Sequence, residues 1–93
     1  MANIRDLKKD VKRMVHHLMQ ECYVHLAYSP PLHQENVLDI ISDTMVLEKE
    51  TIRSIIHLNS DSEKDVNDYY KAVTSDFYDR IVELTERLNS LSY

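Results

Sequence analysis

The chain contains no glycine, and its only two prolines stand side by side as Pro30-Pro31. Tight hairpins, phosphate-cradling loops and sharp strand connections draw on glycine for backbone angles that other residues reach at a cost. A glycine-free chain of 93 residues is therefore confined to long regular elements joined by few bends, and helices meet that condition best.

Turn chemistry is concentrated in two places, Tyr28-Ser29-Pro30-Pro31 and Leu58-Asn59-Ser60-Asp61-Ser62. They divide the chain into three similar segments. In the first, Asn3 can cap a helix with Asp6 three residues on. Ile4, Leu7, Val11, Met14, Val15, Leu18, Met19, Cys22 and Leu26 then recur at steps of three and four, the spacing of one helical face. Arg5, Lys9, Lys12, Arg13, His16 and Gln20 occupy the other face.

The proline pair stops this helix, and Pro31 can open the next from its first turn. In the second segment Val37, Leu38, Ile41, Met45, Ile52, Ile55 and Ile56 form the expected core row. A flanking row of Ile40, Leu47 and Leu58, with Thr44 and Thr51 beside it, reads as surplus apolar surface. The third segment starts at Ser60 or Ser62, each matching a capping box with Glu63 or Asp65. Its row is Val66, Tyr69, Tyr70, Val73, Phe77, Ile81, Leu84, Leu88 and Leu91. The expected architecture is a single all-α domain over residues 1–93, an up-down-up antiparallel three-helix bundle with helices at about 4–28, 32–58 and 61–91.

Charge and composition narrow the function classes. No stretch approaches the ~20 consecutive apolar residues of a membrane span, and the opening residues lack the apolar run of a secretory signal. The lone cysteine, Cys22, permits no internal disulfide and suits a reducing compartment, so a cytoplasmic setting is expected. Net charge is −5, yet Arg5, Lys8, Lys9, Lys12 and Arg13 crowd the start of the chain. In the expected topology they lie beside the acidic start of the third helix, Asp61, Glu63, Asp65 and Asp68, and self-complementation explains them better than a nucleic-acid contact.

Several constellations invite chemistry. His17, Glu21 and His25 are spaced four and four, with Cys22 three before His25, which gives the weak metal candidates His17, Glu21, Cys22 and His25. His17 and His25 diverge by about 80° around the helix, and the Glu-x-x-His pair of dimetal bundles is absent. Neither a metal nor a cofactor is expected. The oxygen-rich segment 59–65 lacks the sixth-position glycine of a calcium loop, so capping accounts for it. His25 reads as a histidine partly buried near His33 and satisfied by a neighbour. Glu48 falls inside the expected apolar arc, where Lys12 or a hydroxyl of Tyr69 or Tyr70 could satisfy it; a register-setting buried polar group explains it better than a catalytic acid. No residue set arranges a nucleophile with its base, so no catalytic residues and no enzyme are expected.

The opening Ala-Asn-Ile-Arg-Asp-Leu-Lys-Lys-Asp-Val, with Glu21-Cys22-Tyr23 and the three-helix layout, resembles a family of small uncharacterised all-helical bacterial proteins that begin Asn-Ile-Arg/Lys-x-Leu-Lys-Lys-Asp. The resemblance implies the fold and transfers no functional residue. From the residues themselves, the leading expectation is a non-enzymatic helical interaction module that self-associates or binds another helical protein through Ile40, Leu47 and Leu58, aided by Met19 and Tyr23. The alternative is a metal-binding or metal-sensing protein using His17, Glu21, Cys22 and His25.

Overall fold

Leu7, Val11, Val15, Leu18 and Cys22 sit at steps of three and four and are all buried, and this stripe makes the first segment a helix with one side committed to a core. A computed structural model describes residues 4–61 and 66–91, with side chains described apart from those of residues 4, 58–61, 66 and 67. It contains α1 (Ile4–Tyr28), α2 (Pro31–Asp61) and α3 (Val66–Asn89), and all three pack against one another. The molecule is an all-α three-helix bundle with principal extents of 50 × 19 × 17 Å.

The first bend forms as the prolines dictate. The Ser29 amide still donates to the His25 carbonyl at 2.7 Å, continuing the helical pattern. Pro30 breaks it, and the Pro30 carbonyl then accepts from the His33 amide at 2.9 Å in the first turn of α2. The Gln34 Nε2 reaches the Leu26 carbonyl at 3.5 Å, so the two helices leave the bend antiparallel.

The α2–α3 pair is clamped on its outer side by Arg87 Nη1 to Asp43 Oδ2 at 2.8 Å and by Arg80 to Glu50 at 3.9 Å. Residues rise in number along α2 as they fall along α3, so this pair too is antiparallel. Leu7 shares a groove with Tyr70 and Thr74, while Met14 and Leu18 share one with Tyr78 and Ile81, which sets α1 and α3 parallel.

Two boundaries differ from expectation. Helix α2 continues through Asn59 and Ser60 to Asp61, because neither a glycine nor a proline stands there to stop it. Residue 61 therefore closes α2 and does not open α3. Helix α3 ends at Asn89, and the Ser90 and Leu91 amides turn back onto the Glu86 and Leu88 carbonyls at 3.0 and 3.1 Å. The expected Asn3 cap and the pairing of Ser62 with Asp65 lie outside the described residues, as do Glu63 and the side chains of Ser60 and Asp61. The proposed neutralisation of the basic start of α1 thus falls mostly outside them.

The largest correction concerns the rotation of α2. Ile40 and Leu47, expected as a surplus row, are buried at 2% and 5% exposure, and Thr44 and Thr51 are buried with them. Leu38, Met45 and Ile56, expected in the core, are 53%, 56% and 50% exposed. Val37, Ile40, Thr44, Leu47, Thr51 and Ile55 form the true inner stripe. The threonines conceal it in the sequence because a hydroxyl reads as polar. Thr44 Oγ1 donates to the Ile40 carbonyl at 2.7 Å, which satisfies the hydroxyl inside its own helix and leaves the methyl group for packing.

Candidate interaction face

Turning α2 inward on its threonine side leaves its other apolar row outside. Leu38, Ile41, Met45, Glu48, Ile52 and Ile56 follow steps of three and four, the spacing of a coiled-coil seam. Ile41 and Ile52 are half-buried against the core, and Leu38, Met45 and Ile56 project outward. On α1, half-buried Met19 and Tyr23, 55% exposed, share a helical side with Lys12, which lines a groove with α2. Of the five residues expected to mediate contacts, Met19 and Tyr23 lie on that side of α1 and Ile40 and Leu47 are core. The side chain of Leu58 lies outside the described residues.

Toward the far end the seam opens into a groove of about 550 Å³ between α1 and α2. Ile52 and Ile56 line it with Lys12, Lys49, Arg53, His57 and Glu48. The cluster is cationic on a chain of net charge −5, and Lys12, Lys49 and Arg53 enter no ion pair among the described residues. Glu48 is half-buried here, at the edge of the groove instead of within the core. Lys12 lines the same groove, but no ion pair joins it to Glu48 among the described residues, and Tyr69 and Tyr70 pack with each other on α3 at a ring separation of 6.3 Å. The position of Glu48 follows from the same rotation of α2 that exposes Met45.

The metal candidates do not converge. His17 and Glu21 approach to 3.5 Å on an exposed strip of α1. Cys22, one residue on, is fully buried and belongs to the core. His25 is buried at the bend; both it and His33 are engaged in interactions of their own. Among the described residues no group of three or more histidine, cysteine or carboxylate side chains is placed to hold a metal. Burial pushes the Cys22 thiol above its ordinary range, and the neighbouring Glu21 charge adds to the effect, the reverse of what a thiolate nucleophile or ligand requires.

A second groove, of about 400 Å³, runs between α1 and α3, where Met14, Leu18, Ile81 and Val82 meet Arg13, His17 and Tyr78. No helix among the described residues is long and apolar enough to cross a membrane. Comparison with protein-family models, with curated proteins and with solved structures gives no match.

Proposed function

We propose that this protein is a non-enzymatic helical interaction module whose docking face is the outer row of α2 with its α1 border. The observation that carries the reading is the exposure of Leu38, Met45 and Ile56, about half of each side chain, along one uninterrupted seam. Single exposed apolar residues are ordinary, but a contiguous row rimmed by charge is the usual mark of a surface that another protein covers. An amphipathic helix laid along the seam would bury this row and complete a four-helix arrangement. The raised thiol pKa of buried Cys22 supports a non-catalytic role for the only cysteine, and a lone reduced thiol supports a cytoplasmic setting.

A photo-crosslinking phenylalanine analogue tests the reading directly. Placed at Met45, it should give protein adducts in the producing cell; placed at exposed Glu86 on α3, it should give few. Equal yields from the two positions, or none from Met45, would remove the docking face.

A further inference from the structure

We infer that the occupant of this face is a second copy of the same chain, docked α2 against α2 in antiparallel orientation about a two-fold axis beside residues 46 and 47. The inference rests on reading the outer row of α2 as a docking surface and adds the identity and direction of what covers it.

The seam is its own complement in that orientation. Ile41 lies opposite Ile52 of the second copy, and Leu38 lies opposite Ile56. Met45 meets Glu48 next to the axis. Every layer but the central one sets apolar against apolar. An interface of this kind is closed by its symmetry, so association stops at two copies.

Charge selects the direction. The exposed acidic residues beside the first half of the seam are Glu35 and Asp39, and the exposed basic ones beside the second half are Lys49 and Arg53. None of these four enters an ion pair among the described residues. Asp43 and Glu50, which would blur the pattern, are held toward α3 by Arg87 and Arg80. Antiparallel docking sets Asp39 beside Arg53 of the second copy, twice by symmetry, and brings Glu48 near Lys49 of that copy. Parallel docking would instead set half-buried Glu48 against Glu48 of the second copy, a like-charge penalty, and would separate Asp39 from Arg53. A single charged residue in the centre of an apolar seam weakens it somewhat while fixing one register, and Glu48 has that position.

Sedimentation equilibrium on the purified chain from about 1 to 100 µM should show a dimer that dissociates on dilution. Asp39→Arg or Arg53→Asp alone should weaken dimerisation about three- to tenfold, and the two together should return it to within about twofold of the parent. Oxidised separately, Leu38→Cys and Ile56→Cys should each remain unlinked; mixed, they should form one disulfide-linked heterodimer, since only the antiparallel register brings those positions within disulfide reach. Buried Cys22 stays reduced in all of them, and circular dichroism verifies that each variant is helical. A Leu38→Cys chain that links to itself would overturn the antiparallel arrangement. A chain monomeric throughout, with adducts of a different protein at Met45, would overturn the second copy and leave the docking face standing; absence of adducts at Met45 would remove both.

Discussion

Thr44 Oγ1 donates to the Ile40 carbonyl at 2.7 Å with both residues buried on the inner side of α2. This bond is what allows a threonine to occupy a fully enclosed position, because an unsatisfied hydroxyl there would cost ~1–3 kcal/mol. Thr44→Val removes the donor and keeps the shape, so urea unfolding should show a stability change below about 1 kcal/mol. Thr44→Asp places a carboxylate at a fully buried position and should cost about 3 kcal/mol or more. Equal tolerance of both substitutions would mean that this side of α2 is not the core.

Phe77 and Leu38 make the complementary comparison. Phe77 is 2% exposed and packs in the core cluster, so Phe77→Ala should lower unfolding free energy by about 3–5 kcal/mol. Leu38 is 53% exposed, and alanine there retains helix propensity, so Leu38→Ala should change the stability of the isolated chain by less than about 0.5 kcal/mol. Its effect should appear in association instead. Denaturant titration at low micromolar concentration, where the chain is monomeric, separates the two effects.

Burial of Cys22 makes stability pH-dependent with a definite sign. Its folded pKa is raised by desolvation first and by the Glu21 charge second. The neutral thiol's contribution is complete below the unfolded value, near 8.5, and is lost as pH rises beyond it, because the unfolded chain ionises first. Urea midpoints should therefore fall between about pH 8 and pH 10, and the fall should be smaller in Cys22→Ala. Labelling of the native thiol by an aromatic disulfide should be slow at pH 8 and fast once urea unfolds the chain.

Glu48 offers the sharpest test of the seam. Glu48→Leu replaces the one charged layer by an apolar one and adds about 1–2 kcal/mol of burial per copy on docking, which should tighten self-association by roughly tenfold or more. The same change removes the contact with Lys49 of the second copy and should relax the antiparallel preference, seen as self-linking of Leu38→Cys in the Glu48→Leu background. Unchanged association in this variant would show that Glu48 lies outside the interface.

The histidines illustrate how spacing along a helix differs from proximity in a fold. His17, Glu21, Cys22 and His25 are close in sequence, yet the core claims Cys22 and the bend claims His25, leaving the His17–Glu21 pair alone on an exposed strip. A helix rotates by about 100° per residue, and four candidate ligands within nine positions spread over more surface than one ion can gather.

The amino-acid sequence by itself determined the helical class, the count of helices and the bend at Pro30-Pro31, because periodic apolar residues and the absence of glycine act locally. It also determined which sides of α1 and α3 turn inward, since each carries a single dominant stripe: Leu7 to Cys22 on one, Phe77 to Leu88 on the other. Helix α2 carries two stripes of nearly equal apolar content, and only tertiary packing chose between them. It buried Ile40, Thr44 and Leu47, with the Thr44 hydroxyl satisfied by the Ile40 carbonyl, and left Leu38, Met45 and Glu48 outside the core. Local periodicity can show that a helix has an apolar face, but which of two such faces meets its neighbours depends on the shapes of those neighbours.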